Sequence, residues 1–85
     1  MATLAAETAI QVAATGVRFT DSMLYIALSD GREIGAPLSR FVWLDRADPR
    51  QRAKWSIEPH GYAVWWDDLD DGIEVGHLLD TRVLV

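Results

Sequence analysis

Apolar residues recur at every second position over much of this chain, and the phase of the alternation shifts at identifiable breaks. Ile10, Val12 and Ala14 share one phase, Val17 and Phe19 the other, with Gly16 between them. That pattern predicts a strand interrupted by a bulge near Gly16. Asp21-Ser22 offers a turn. Leu24, Ile26 and Leu28 then form a period-two stripe, and Ser29-Asp30-Gly31 is a hairpin signal leading into a third strand from Arg32 to Ala36. Pro37 ends that strand, because proline has no amide to donate to a ladder.

Beyond Pro37 the period changes. Ser39 is placed to cap a short helical turn in which Phe41 and Leu44 share a face. Asp48-Pro49-Arg50-Gln51 is a stronger helix start: Asp48 accepts an orphan amide hydrogen bond, Pro49 suits the first helical position, and Gln51 completes a capping box. Arg52 and Lys54 fall in the last turn, where the helix dipole favours positive charge. Alternation returns from Trp55 to Glu58, Pro59-His60-Gly61 makes a turn, and Tyr62 to Trp66 reads as a strand that Asp71-Gly72 breaks. Ile73, Val75, Leu78 and Leu79 fit either a strand followed by a turn or a short terminal helix, and the reading taken is a helix over Glu74 to Leu79. The predicted fold is α+β: a small antiparallel sheet, made of a three-strand N-terminal meander plus C-terminal strands, with two or three short helices. Phe19, Tyr25, Phe41 and Trp55 are expected in its core.

Eighty-five residues supply material for one core. The expected organisation is a single domain over residues 10–80 with tails at 1–9 and 81–85. A hydrophobic content of 49% with four tryptophans indicates a folded globule, and the lack of cysteine excludes disulfides and thiolate zinc sites. Met1 to Ala9 has no basic start and meets Glu7 before any sustained apolar run, which does not fit a secretory signal, and no eighteen-residue apolar stretch occurs. A cytoplasmic location is expected.

Charge changes the picture most. Thirteen acidic against eight basic residues leave a formal charge of −5, which argues against direct nucleic-acid binding, since phosphates need a positive footprint. The charge is also segregated: Arg40, Arg46, Arg50, Arg52 and Lys54 crowd the middle, and acids dominate from Glu58 until Arg82. At the centre of the acidic part lies Val64-Trp65-Trp66-Asp67-Asp68-Leu69-Asp70-Asp71. Neighbouring side chains of a strand point to opposite faces, so the two indoles cannot share one side. The four aspartates repel one another at helical spacing, which favours a turn or a solvated rim. The arginines either leave this rim free or fold back on it in surface pairs worth little.

Catalytic and metal chemistry find little support. Counted from Asp67, a calcium loop would place Leu69 and Leu78 where oxygen ligands belong. Glu74 and His77 could share a helical face but lack matching ligands. None of Ser22, Ser29, Ser39 or Ser56 lies in a nucleophile elbow. Gly31 and Gly35 lack the lysine and helix start of a phosphate-binding loop. His60 reads as an exposed turn residue. No catalytic residue, cofactor or metal is expected.

Leu24 to Ile34 (L-Y-I-A-L-S-D-G-R-E-I), Pro37-Leu38, Leu44, Ala47, Gln51-Arg52, Trp55, Gly61-Tyr62, Trp66, Leu69-Asp70-Asp71, Ile73, Val75 and Leu78-Leu79 together resemble the small bacterial family called domain of unknown function 2442. The resemblance runs from about Ile10 to Leu79. It implies a compact α+β domain found alone or joined to a DNA-binding helix-turn-helix. It brings no established catalytic residues, and similar proteins often look like the smaller partner of a toxin–antitoxin pair. Where relatives tend to read W-F-P-R-L, this chain has Arg40-Phe41-Val42-Trp43-Leu44. Where they read I-H-W-P it has Val64-Trp65-Trp66-Asp67, and an acidic D-E-D element is here Asp70-Asp71-Gly72.

The functional expectation is a non-enzymatic acidic module that inhibits a basic, nucleic-acid-handling protein by nucleic-acid mimicry, antitoxin-like or anti-CRISPR-like. Its contact residues would be Trp65, Trp66, Asp67, Asp68, Asp70, Asp71 and Glu74, and the chain itself a monomer or weak homodimer without direct nucleic-acid or membrane binding. Two alternatives stand beside it. One is a self-associating domain whose basic middle meets another copy's acidic end. The other is a small metal-dependent enzyme using Glu74, His77 and nearby aspartates.

Overall fold

A computed structural model describes residues 12–79. The expected tails and the outermost positions of the 10–80 domain lie outside the described residues. Two three-stranded antiparallel sheets make the framework. The first is β1 (Ala14–Phe19), β2 (Met23–Leu28) and β3 (Glu33–Pro37), and the second is β4 (Trp55–Ile57), β5 (Ala63–Trp66) and β6 (Asp71–Glu74), each ordered as in the chain. Between them run a 3-10 turn (Leu38–Arg40) and two one-turn helices, α1 (Val42–Asp45) and α2 (Pro49–Arg52). A third helix, α3 (Val75–Leu79), follows β6. The α+β class, the meander and the short helices match the sequence reading.

In the first sheet the period-two stripe does what alternation requires. Leu24, Ile26 and Leu28 are buried, and their cross-strand partners Phe19, Val17 and Ala14 on β1 face the same side. The register shifts between Ala14 and Gly16, which is the bulge that the change of phase predicts. Tyr25 departs from expectation: it lies in the opposite phase to Leu24 and Ile26, directly across from Gly35, with the Arg18 guanidinium 4.0 Å above its ring. It is an outer-face residue. Phe19, Phe41 and Trp55 do pack against the core.

One cluster, in which Leu24, Ile26, Leu38, Leu44, Val64 and Trp66 are fully buried, unites the two sheets and the segment between them. Burying each such aliphatic side chain is worth about 1.5–3 kcal/mol relative to exposure. The sheets also meet at Gly61, where a Cβ would stand 2.5 Å from that of Ala13 and 3.0 Å from the Ala14 carbonyl oxygen. Only a residue without a side chain lets the chain pass there.

The capping box forms as read: Gln51 N donates to Asp48 Oδ1 at 2.8 Å, and Asp48 N donates to Gln51 Oε1 at 3.0 Å. Ser39 makes no cap. It sits inside the 3-10 turn, and α1 begins from Phe41 with no side-chain cap, because the chain enters the turn directly from extended Pro37. Arg52 closes the last turn of α2, but its guanidinium reaches back to the Leu44 and Asp45 carbonyls of α1 at 3.1 and 2.7 Å. Lys54 lies beyond the helix.

Two boundaries near the C-terminus move. Asp71-Gly72 does not break a strand; both residues belong to β6, and the reversal falls earlier, at Asp67–Asp70. Glu74 ends that strand and the helix starts at Val75.

Candidate functional site

Four like charges in sequence are least repulsive where the chain turns into solvent, and the acidic run occupies the β5–β6 hairpin loop. Asp67–Leu69 form a 3-10 turn, Asp70 N donates to Asp67 O at 3.2 Å, and Asp70 adopts a left-handed conformation (φ 53°) before β6 resumes. A four-residue connection is a common hairpin length, and aspartate is among the few non-glycine residues that visit this backbone region routinely. Below the loop, Trp66 pairs with Asp71 and Trp65 with Gly72.

The two indoles part as strand geometry demands. Trp66 is fully buried. Its Nε1 donates to the Arg52 carbonyl at 3.0 Å, and the Trp43 ring lies edge-on to it at 5.6 Å. Trp66 is therefore a core residue, and its expected role in partner contact is corrected: the Phe41–Leu44 segment covers that face of the sheet. Trp65 is the half-buried one. Its ring lies across Gly72, where a Cβ would come within 2.5 Å of Cε3. Gly72 serves a close approach of ring to backbone, which is why an Asp-Gly pair that looks like a breaker sits within a strand.

Trp65 forms part of a groove of about 650 Å³ beside β6. All four β6 residues line it, together with Asp67 from the loop, Glu58 and Tyr62 ahead of β5, Arg40 and Phe41 from the middle segment, and His77 and Leu78 of α3. Four carboxylates (Glu58, Asp67, Asp71 and Glu74) thus face one guanidinium across a partly aromatic surface. Asp67 and Glu74 are exposed, Asp71 is half-buried with Oδ1 accepting from Gly72 N at 2.8 Å, and Tyr62 stays 53% exposed.

The basic middle of the chain does little to neutralise these acids. Among the described residues, Lys54 reaches Asp68 at 3.3 Å and His77 stands 3.9 Å from Glu74, while Arg52 approaches Asp45 instead, at 3.9 Å. Both members of the Lys54–Asp68 pair are exposed, so the contact is worth about 0–1 kcal/mol. Of the expected contact residues, Trp65, Asp67, Asp71 and Glu74 come together in the groove. Asp68 and Asp70 sit on the loop outside it. Tyr62, Phe41 and Arg40 join the site without a local signal, because chain folding rather than spacing brings them there. Among the described residues no three His, Cys, Asp or Glu side chains are grouped to hold a metal ion, and no helix is long and apolar enough to cross a membrane.

Comparison with solved structures finds a crystal structure of a protein of unknown function from Rhodospirillum rubrum ATCC 11170. It shares 21% identity, with a TM-score of 0.71 over 82% of this chain and 87% of that one. At that identity the likeness establishes the fold alone. No curated protein matches the chain. The model of the family described as protein of unknown function (DUF2442) matches residues 14–82, which spans both sheets and the acidic hairpin. The chain belongs to that family.

Proposed function

We propose that this protein is a non-enzymatic acidic binding module of the cytoplasm that occupies a basic, nucleic-acid-handling surface on another protein. It would act as an antitoxin-like or anti-CRISPR-like inhibitor by mimicking nucleic acid. One observation carries the reading: a half-exposed indole, Trp65, lies in a groove edged by Glu58, Asp67, Asp71 and Glu74, with Arg40 the one guanidinium among the described residues that lines it. A nucleic-acid-binding surface is built to receive closely spaced negative charge, so an acidic rim competes for the same lysines and arginines. Charge complementarity accelerates the encounter, most strongly at low salt. Trp65 then supplies an apolar anchor of the kind whose truncation costs about 2 kcal/mol or more at an interface.

The test is capture from native lysate at low and high salt, with DNA or RNA as competitor. The expected result is a basic nucleic-acid-binding protein that salt and nucleic acid both release. Replacing Asp67, Asp68, Asp70 and Asp71 with asparagine should then weaken capture strongly while the thermal midpoint holds. Capture that is indifferent to these four charges and to salt removes the reading.

A further inference from the structure

Among the described residues, strand β6 is the last of its sheet, and its phase is set by Val75 N donating to Tyr62 O at 2.9 Å. Antiparallel rungs alternate between hydrogen-bonded and non-bonded pairs. With Tyr62 and Val75 bonded, the next rung, Ala63 and Glu74, is not; Val64 and Ile73 are; and Trp65 and Gly72 are not. Glu74 and Gly72 therefore turn their backbone groups away from β5, to the open side. The contacts agree with this phase. Ala63 O accepts from Glu58 N on the β4 side at 3.0 Å, and Gly72 N is taken by the Asp71 side chain. The helix that starts at Val75 takes the Glu74 carbonyl as its first acceptor, so what remains on the open edge, among the described residues, is the Gly72 carbonyl and the Glu74 amide.

The groove extends to this strand. All of Asp71, Gly72, Ile73 and Glu74 line it, together with Ala63 and Trp65 of the central strand, so it spans the Trp65 face of the sheet and reaches the last strand. An unpaired edge is a template for another strand, and proteins protect such edges with charge. Here the charges are Asp71 and Glu74. They oppose pairing with a second copy of the same edge, which would set carboxylates against carboxylates, and they favour a segment of opposite sign.

We propose that a short extended segment carrying two or more arginines or lysines adds to the free edge of β6. It would pair its backbone with Gly72 and Glu74 and lay its cationic side chains among Glu58, Asp67, Asp71 and Glu74. Main-chain pairing gives such a complex affinity and the side-chain contacts give it selectivity. This rests on the acidic-module reading above and specifies how the basic partner is held.

The test uses the 15N-labelled full chain and an end-blocked heptapeptide alternating arginine and valine. Two twins of the peptide are N-methylated on alternate backbone amides, one in each phase. All three peptides carry the same charge, and only one twin loses the amides that face the edge. The parent should shift the Glu74 and Gly72 amides and slow exchange at Glu74. One twin should bind at least tenfold more weakly and the other like the parent. Equal binding of all three overturns strand addition while leaving a charge-driven acidic surface intact. No binding of the parent at millimolar concentration also overturns it, and the salt-dependent capture experiment then judges the acidic-module reading separately.

Discussion

The Trp66 indole Nε1 donates to the carbonyl oxygen of Arg52 at 3.0 Å, tying the central strand of the second sheet to the end of the helix that the Asp48 box begins. That carbonyl lies in the last turn of α2, where helix geometry provides no internal partner. The same residue's guanidinium serves the last carbonyls of α1, so Arg52 links two helix ends and Trp66 fastens it to the core.

Adjacent tryptophans should therefore respond differently to one substitution. Trp66→Phe removes the donor and leaves both a partly unfilled site and an unsatisfied carbonyl, for a loss of about 2 kcal/mol or more. Trp65→Phe, at the half-buried position, should cost less than about 1 kcal/mol. Urea unfolding with unchanged slope measures both. Equal losses would mean that the indoles are equivalent in packing.

Local chemistry is legible in the sequence wherever it is sufficient. The Asp48–Gln51 box, the bulge at Gly16 and the hairpin at Ser29–Gly31 depend on residues within a few positions of one another, and each forms as its residues predict. Which of Trp65 and Trp66 faces inward is not legible, because alternation separates the two but only the covering Phe41–Leu44 segment decides the side. Gly72 misleads for a related reason: its neighbour Asp71 suggests a turn, whereas the determinant is the Trp65 ring across the ladder. Repulsion among the aspartates correctly marks a turn. The groove they overlook depends on residues as distant as Arg40 and His77, which no local pattern connects.

His60 occupies φ 69° and ψ 3°, and Gly61 N donates to Glu58 O at 2.8 Å across it. With Pro59 second and a left-handed residue third, this is a type II-like turn, whose third position suits glycine or asparagine. His60→Gly should raise stability by about 0.5–1 kcal/mol and His60→Asn by less. Thermal unfolding checks both, and a loss with either variant would indicate that the imidazole makes a stabilising contact.

Acid should destabilise the first sheet through two carboxylates. Glu33 receives two hydrogen bonds from Arg18, at 2.8 and 2.9 Å, and these hold its carboxyl below the usual glutamate range. The Arg32 backbone amide, then its side chain, does the same for Asp30. A carboxyl whose folded pKa is depressed contributes stability above its unfolded pKa and loses it as pH falls through the folded value. The thermal midpoint should hold from neutral pH to about pH 5 and then fall through the carboxylate range toward pH 3. Glu33→Gln should flatten part of that acid limb, and raised salt should do so too, since both groups are exposed. An acid limb unchanged in Glu33→Gln would assign the loss to other carboxylates.

Two glycines four residues apart should respond to alanine with opposite signs. At Gly72 a Cβ would stand 2.5 Å from Trp65 Cε3 and 2.7 Å from the Val64 carbonyl oxygen. The ring can swing aside, but the carbonyl is backbone of the central strand, so Gly72→Ala should cost about 1–3 kcal/mol and displace the Trp65 indole resonance. Gly76, inside α3, leaves open space out to 4 Å around the point where a Cβ would stand. There alanine removes only glycine's entropic penalty in a helix, and Gly76→Ala should gain about 0.5–1 kcal/mol. Paired urea titrations and the indole N–H spectrum decide the matter. A tolerated Gly72→Ala with an unmoved Trp65 signal would show that the ring does not rest on that glycine, and the aromatic wall of the groove would have to be drawn elsewhere.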